Sequence, residues 1–121
     1  MQQTLEDFIN SSLKNGVQYT IRKFSFEKQQ TGKNPIFDEK DINDIGYHFL
    51  YELNRIDDAL ELFKYNVESF PQSANAYDSL GEAYFIKGEI DSAIYNYKKS
   101  INLNPDNKNA VHMLRQLRSN H

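Results

Sequence analysis

The chain of 121 residues contains no cysteine. Disulfide bonds and thiolate metal sites are therefore excluded. A chain of this length is one domain of ordinary size, and it can bury a core that needs no such cross-links.

Long apolar runs are also missing. The stretch 47–53 is among the longest, and His48 and Glu52 interrupt it, so no segment is long enough to span a bilayer. Residues 1–10 carry Glu6 and Asp7 early and lack the basic flank and apolar stretch of a secretory signal. We therefore expect no membrane partner and a cytoplasmic location.

An excess of basic charge is absent too. The chain has 17 acidic and 14 basic residues, a formal net charge of -3, and the two signs are interleaved. Nucleic-acid binding relies on clustered lysine and arginine. We therefore expect no nucleic-acid partner.

What the chain does contain is a repeat of 34 residues in its second half. Five pairs of similar residues have this separation: Ile56/Ile90, Asp57/Asp91, Ala59/Ala93, Phe63/Tyr97 and Pro71/Pro105. A fixed period of this length is typical of stacked helical hairpins, in which each unit buries its apolar face against its neighbours. The period predicts a scaffold that presents a surface rather than a chemical site.

The first third of the chain predicts two helices, over residues 5–14 and 17–30, because apolar residues recur there at helical spacing. Thr4 is a candidate N-cap for the first helix, and the Asn15-Gly16 pair separates the two.

Loop-forming residues mark one internal boundary, at residues 31–35, which end in a proline. We interpret residues 1–37 as an N-terminal helical hairpin and loop that packs on the repeats or caps them. Residues 38–121 then form the region that contains the repeats. Whether the N-terminal helices are a divergent repeat stays open at this point.

Helical spacing continues from Asp38 to the C-terminus. Asp38 and Ser73 are candidate N-caps, and Asn54 and Gly88 stand where the chain must turn. The predicted units are hairpins over residues 40–73 and 74–107 and a single helix over residues 108–120.

The second of these hairpins closely resembles the tetratricopeptide repeat (TPR), whose pattern places particular residues at fixed offsets. The matching residues are Tyr77, Leu80, Gly81, Tyr84, Gly88, Ala93, Tyr97 and Pro105. Gly81 and Ala93 have little or no side chain, which lets two helices approach closely while tyrosines fill the surrounding space. The resemblance implies an all-α fold of antiparallel hairpins, stacked as a short right-handed solenoid with a C-terminal capping helix.

The first hairpin departs from the TPR pattern in its first half. Gly46 stands one position before the first glycine of the pattern, with Tyr47 in its place, and Asn54 replaces the turn glycine. Its second half matches the pattern at Ala59, Phe63 and Pro71. The pattern therefore does not fix the register between the two helices of this hairpin.

Residues 45–114 also resemble the C-terminal TPR tails of some bacterial serine hydrolases of the β-lactamase-like and esterase-like kinds. The resemblance is carried by Asn66-Val67, Phe70-Pro71 and residues 76–84. In such proteins a catalytic domain precedes the tail, and this sequence has no such domain. Only the accessory module is implied for this chain.

Candidate catalytic chemistry is sparse. Residues 11–14 have the form S-x-x-K, but the partner motifs of a serine acylase are missing. His48, His112 and His121 lack the spacing of a metal-binding helix. We therefore expect no enzyme activity, no cofactor and no metal.

The remaining candidate surface is the concave groove, which the first helix of each unit would line. The candidate partner-binding residues are Asp44, His48, Tyr51, Asp78, Glu82, Phe85 and His112. These make an acidic groove with aromatic side chains, which would repel a carboxylate. Electrostatic complementarity favours a basic or aromatic peptide segment.

Two functions remain open. One is a non-catalytic module that binds a protein or peptide in the groove. The other is a structural or dimerisation appendage of a hydrolase-like protein, with Tyr51 and Phe85 packed against the N-terminal helices or a second copy. With only two full units, residues 1–30 or a homodimer must cover the exposed ends.

Overall fold

The computed structural model describes residues 4–31 and 37–119, and the regular elements in these ranges are all helices. They are α1 (Leu5–Asn15), α2 (Val17–Thr31), α3 (Glu39–Tyr47) with a π-helical turn (His48–Glu52), α4 (Ile56–Ser69), α5 (Ala74–Lys87), α6 (Ile90–Leu103) and α7 (Lys108–Ser119). Most of the predicted loop at 31–35, together with Asn120 and His121, lies outside the described residues.

Side-chain caps begin four of the helices. Thr4, Asp38, Ser73 and Asn107 each place a side-chain oxygen 2.9 to 3.3 Å from the backbone nitrogen three residues later. This contact satisfies one of the N–H groups that a helix start leaves without a partner. The predicted caps are confirmed.

Left-handed residues close two of the turns between paired helices. Asn54 has φ +54° between the π-helical turn and α4, and Gly88 has φ +91° between α5 and α6. Glycine adopts this conformation without steric cost, and asparagine is one of the few other residues that visit it readily. Both predicted turns are confirmed.

The helices form a stack of antiparallel hairpins. Helix α1 pairs with α2, α3 with α4, and α5 with α6, while α7 packs on α6. Between hairpins, α4 contacts α5, α1 contacts α3, and α2 contacts α4. The predicted all-α stack with a C-terminal helix is confirmed. The domain boundary near residue 37 stays a prediction.

A glycine facing an aromatic ring joins the two helices of each repeat. A β-carbon on Gly81 would lie 3.1 Å from Cε1 of Tyr97, and a β-carbon on Gly46 would lie 2.7 Å from Cζ of Phe63. Both rings are fully buried. Gly46, and not Tyr47, therefore occupies the position of the first glycine of the pattern.

The two repeats differ by one residue in their first helix. Gly46 and Gly81 are 35 residues apart (81 − 46), whereas Phe63 and Tyr97 are 34 apart (97 − 63). The first repeat thus has one extra residue between the glycine and the second helix.

A second pair of contacts has the same one-residue difference. Asn66 donates to the carbonyl of Glu39 at 3.0 Å, and Ser100 donates to the carbonyl of Ala74 at 2.7 Å. The donors are 34 residues apart, and the acceptors are 35 apart. Equivalent positions in the first helices are therefore offset by 35.

The π-helical turn His48–Glu52 takes up the extra residue. A π-helical turn closes a hydrogen bond over five residues instead of four, so it accommodates one additional residue. After this turn the chain leaves the first helix in the same way in both repeats. The backbone N–H of Arg55 donates to the carbonyl of Phe49 at 2.8 Å, and the backbone N–H of Glu89 donates to the carbonyl of Tyr84 at 2.9 Å in the second repeat.

Candidate partner-binding face

Helices α3, α5 and α7 share one face, and side-chain hydrogen bonds join them. Tyr47 on α3 donates to Ser79 on α5 at 3.0 Å, and Ser79 donates to Asn43 on α3 at 2.5 Å. Asn109 on α7 donates to Asp78 on α5 at 2.8 Å. We call the surface around these residues the α3–α5–α7 face.

Asp78 lies within this face rather than on it. Only 9% of the residue is exposed. One carboxylate oxygen accepts from Asn109 at 2.8 Å, and the other accepts from Asn107 at 3.0 Å. Our expectation that Asp78 is an exposed site is wrong, because the next repeat covers it with these two amides.

Replacing Asp78 by asparagine is expected to lower the free energy of unfolding by about 1 kcal/mol. An asparagine side chain accepts through one oxygen only, so one of the two neighbouring amides loses its acceptor. Urea unfolding measures the change, with Asp91→Asn on the exposed side of α6 as the control. Equal midpoints for the two variants would contradict the prediction.

Glu82 is the second carboxylate of this face, and two tyrosines hold it. Tyr51 donates to one oxygen, and the single hydroxyl proton of Tyr47 is shared between Ser79 at 3.0 Å and the other oxygen of Glu82 at 3.3 Å. The two rings are stacked, with centroids 6.0 Å apart and planes 5° apart. The carboxylate is thereby fixed beside an aromatic pair.

The pKa values of both tyrosines keep them in the donor form at neutral pH. Burial raises the pKa of Tyr47, and the charges of Glu82 and Asp78 add to it. Partial burial, followed by the hydrogen bond to Glu82 and its charge, raises the pKa of Tyr51 to about 12. Both hydroxyls therefore stay protonated, and Glu82 receives hydrogen bonds but no positive charge from them.

Two other candidate residues on α3 and the π-helical turn engage partners within their own helix. Asp44 accepts from Lys40 at 2.8 Å, and His48 Nδ1 lies 3.3 Å from a carboxylate oxygen of Glu52. Within the described residues, neither side chain is hydrogen-bonded to α5.

The residues that α3 brings to α5 are instead Asn43 and Tyr47, which the sequence analysis missed. With an offset of 35, Asn43 aligns with Asp78 and Tyr47 with Glu82. The 35-residue separation of the two glycines was the signal that could have found them.

The remaining three candidates are exposed. Tyr51 is 53% exposed even though its hydroxyl reaches Glu82, and Phe85 is exposed one turn further along α5. His112 lies on α7 beside the basic side chains of Lys108 and Arg115. The face is therefore acidic at α5, and around His112 it has charges of both signs, because Asp106 lies beside the two basic residues.

The acidic part of the face has no positive partner within the described residues. The ion pairs there include Lys40–Asp44, Arg55–Asp58, Lys87–Asp57 and Lys87–Glu89. Neither Asp78 nor Glu82 takes part in an ion pair within 4 Å over residues 4–31 and 37–119. Neutral hydrogen-bond donors stabilise these carboxylates, and their negative charge stays uncompensated within those ranges.

The described part of the chain contains no group of three or more His, Asp or Glu residues placed to hold a metal ion. It also contains no helix with the length and apolar character needed to cross a membrane. A cavity of about 640 Å³ lies between α2 and α4 and is lined largely by apolar side chains, among them Phe8, Phe24 and Phe37. None of the candidate partner-binding residues lines it.

A family model for the TPR repeat matches residues 81–112, which run from α5 through α6 into α7. This match supports a tetratricopeptide repeat in that part of the chain. No curated protein sequence matches the chain. The resemblance to the tails of serine hydrolases therefore stays a prediction.

Two solved structures resemble nearly the whole chain in fold. The crystal structure of MamA has a TM-score of 0.63 and 22% identity, over 99% of this chain and 66% of that one. The first TPR of Spaghetti (RPAP3), bound to an HSP90 peptide, has a TM-score of 0.64 and 18% identity, over 95% of this chain and 88% of that one. This chain thus spans less than two thirds of the MamA chain, and these identities establish likeness of fold only.

Within this TPR-like stack, α3, α5 and α7 are the first helices of successive units. The α3–α5–α7 face is therefore the surface that we expected to be concave. The signature residues of the second repeat lie mainly in its interior: Tyr77, Leu80, Gly81, Ala93 and Tyr97 are buried, and Tyr84 is half-buried.

Proposed function

We propose that this chain is a non-catalytic interaction module that binds a basic or aromatic peptide segment on its α3–α5–α7 face. The observation that carries the proposal is the pair of carboxylates on α5, Asp78 and Glu82, which have hydrogen-bond donors but no cation partner in the described ranges. The TPR repeat match and the TPR-like fold support a protein-interaction module in general.

Charge sets the expected chemistry of the partner. The RPAP3 structure holds the peptide SRMEEVD, which carries three acidic residues. Here the α3–α5–α7 face presents Glu82, with the charge of the covered Asp78 one turn away on α5, and like charges brought together cost free energy. We therefore expect this chain to prefer a peptide of the opposite sign.

Exposed apolar side chains support the aromatic part of the proposal. Tyr51 projects beside Glu82, while Phe85 and Ile86 follow Glu82 by three and four residues on α5 and are exposed. Side chains three and four residues apart on a helix are neighbours on its surface. The acidic site thus has apolar contact area next to it, a combination that suits a peptide with basic and aromatic residues.

The proposal is tested with a labelled basic peptide and with SRMEEVD, titrated with the protein in fluorescence anisotropy. We expect the basic peptide to bind more tightly and to lose affinity as salt is added, since salt screens exposed charges. The change Glu82→Gln should weaken its binding about fivefold, as for the loss of about 1 kcal/mol from an ion pair.

The matched control is Glu68→Gln, which removes the same charge from an exposed position near the end of α4. It should leave the affinity within about twofold of the parent protein. Equal weakening by both variants would mean that only the net charge matters. Tighter binding of SRMEEVD would reverse the proposed partner chemistry.

A second candidate function is a structural or dimerisation appendage of a hydrolase-like protein. The exposed Tyr51 and Phe85 favour it, because a second copy of the chain could cover them. Light scattering across a range of concentrations separates the two candidates. A monomer favours peptide binding, whereas a tight dimer that Tyr51→Ala and Phe85→Ala dissociate favours the structural role.

A further inference from the structure

We infer that the Tyr47–Tyr51–Glu82 cluster is a subsite for one arginine side chain of the partner, an inference that rests on the proposed peptide-binding function. The three side chains come from two neighbouring helical segments. The Tyr51 hydroxyl donates to Glu82, and the Tyr47 hydroxyl shares its proton between Glu82 and Ser79. The two tyrosine rings stack with centroids 6.0 Å apart. A fixed carboxylate therefore lies at the edge of a flat aromatic pair.

Glu82 keeps acceptor capacity after these two contacts. An ionised carboxylate offers about four lone-pair positions. Tyr51 occupies one of them, and the shared proton of Tyr47 occupies at most one more. Both donors are neutral, and over residues 4–31 and 37–119 no lysine, arginine or histidine lies within 4 Å of this carboxylate. A cation that docks here gains charge-assisted hydrogen bonds, which are stronger than those from neutral donors.

The aromatic pair favours arginine over lysine. Tyr51 stacks on Tyr47 with one face of its ring and is 53% exposed, which leaves ring surface open to a ligand. A guanidinium group is planar, stacks on aromatic faces and presents N–H groups in a fork that matches a carboxylate. An ammonium group is compact and strongly hydrated, and it makes the charge contact without the planar stacking.

A buried hydroxyl lies close to the same cluster. The hydroxyl of Tyr97 has no hydrogen-bond partner within the described part of the chain, although the residue is fully buried. Its ring passes Gly81 on α5, between Asp78 and Glu82 in sequence, and these two carboxylates help burial to raise its pKa. Unused hydrogen-bonding capacity therefore lies beneath the surface that carries the uncompensated charge.

The test uses three synthetic dodecapeptides that differ only at the same four positions, which hold arginine, lysine or the neutral analogue citrulline. Fluorescence anisotropy measures their affinity for the full chain and for three variants. We expect the arginine peptide to bind about three- to fivefold more tightly than the lysine peptide, and the citrulline peptide to bind more weakly than both.

The three variants test whether the ring of Tyr51 causes the preference for arginine over lysine. Tyr51→Ala should bring the arginine-to-lysine affinity ratio to about one, because the stacking surface is removed. Tyr51→Phe keeps the ring and should keep the ratio. Tyr95→Ala removes a more exposed tyrosine from α6, outside the face, and should also keep it.

The outcomes distinguish this inference from the function on which it rests. If both basic peptides bind and Tyr51→Ala leaves the ratio unchanged, the arginine subsite is refuted while peptide binding stands. If neither basic peptide binds the parent protein, the proposed function itself fails. If the parent protein is a dimer that Tyr51→Ala converts to a monomer, a second copy occupies the site and the subsite is again refuted.

Discussion

Replacing Phe63 by alanine is expected to lower the free energy of unfolding by about 3 to 5 kcal/mol. Phe63 is fully buried on α4, its ring meets that of Tyr47 with centroids 5.1 Å apart, and it faces Gly46. Alanine would leave a cavity in the core cluster that joins the N-terminal hairpin to the repeats. Urea unfolding followed by far-UV circular dichroism measures the loss.

The control for this change is Phe26→Ala on α2, where the ring is 60% exposed. Exposed substitutions of this kind usually change stability by less than about 0.5 kcal/mol. A loss under about 1 kcal/mol for Phe63→Ala would contradict the packing described for the first repeat.

Helix ends were predictable because their determinants are local in sequence. The two N-terminal helices were predicted over residues 5–14 and 17–30, and they run over Leu5–Asn15 and Val17–Thr31. The cap at Thr4 needs only a backbone N–H three residues later, so the sequence contains both partners side by side. The same holds for the caps at Asp38 and Ser73.

The register of the first repeat was not predictable from the 34-residue period. That period is kept by the second helices, where Phe63 precedes Tyr97 by 34 residues. The first helices contain one additional residue, which the π-helical turn His48–Glu52 absorbs without changing the exit of the chain. A π-helical turn is defined by the backbone hydrogen bonds that form when the helix packs, and no particular residue type in the sequence predicts it.

The one-residue offset also affects which residues of α3 meet α5. The 34-residue period aligns Asp44 with Asp78 and His48 with Glu82, whereas the side chains that reach α5 are Asn43 and Tyr47. The residue types still predicted an acidic and aromatic surface, because Glu82 and Tyr51 belong to it. The 34-residue period alone does not identify the residues of α3 that contact α5.

The burial of Asp78 was not predictable for a different reason. Its partners, Asn107 and Asn109, follow it by about one repeat length and become neighbours only when α7 packs against the stack. An aspartate in a helix is usually exposed unless a partner is present. Identifying such partners requires the packing of neighbouring units, so the sequence pattern predicted an exposed carboxylate.

Replacing Gly46 by alanine is expected to lower the free energy of unfolding by about 2 kcal/mol more than the same change at Gly81. Both glycines lie in helices, so the gain in helix propensity of about 1 kcal/mol is common to the two variants and cancels in the comparison. At Gly81 the new methyl group would lie 3.1 Å from Tyr97, which has to shift by only a few tenths of an ångström. At Gly46 it would lie 2.7 Å from Cζ of the fully buried Phe63, so the ring or the helix pair must move further.

A double-mutant cycle with Phe63 tests whether the lost stability of Gly46→Ala comes from the contact between these two residues. In a protein that carries Phe63→Leu, the shorter side chain makes room for the methyl group, and the cost of Gly46→Ala should fall below about 1 kcal/mol, as expected for directly coupled sites. Urea unfolding of the four proteins in this cycle gives the coupling. If Gly46→Ala costs the same in both backgrounds and no more than Gly81→Ala, then Gly46 does not face α4, and the one-residue offset between the repeats is wrong.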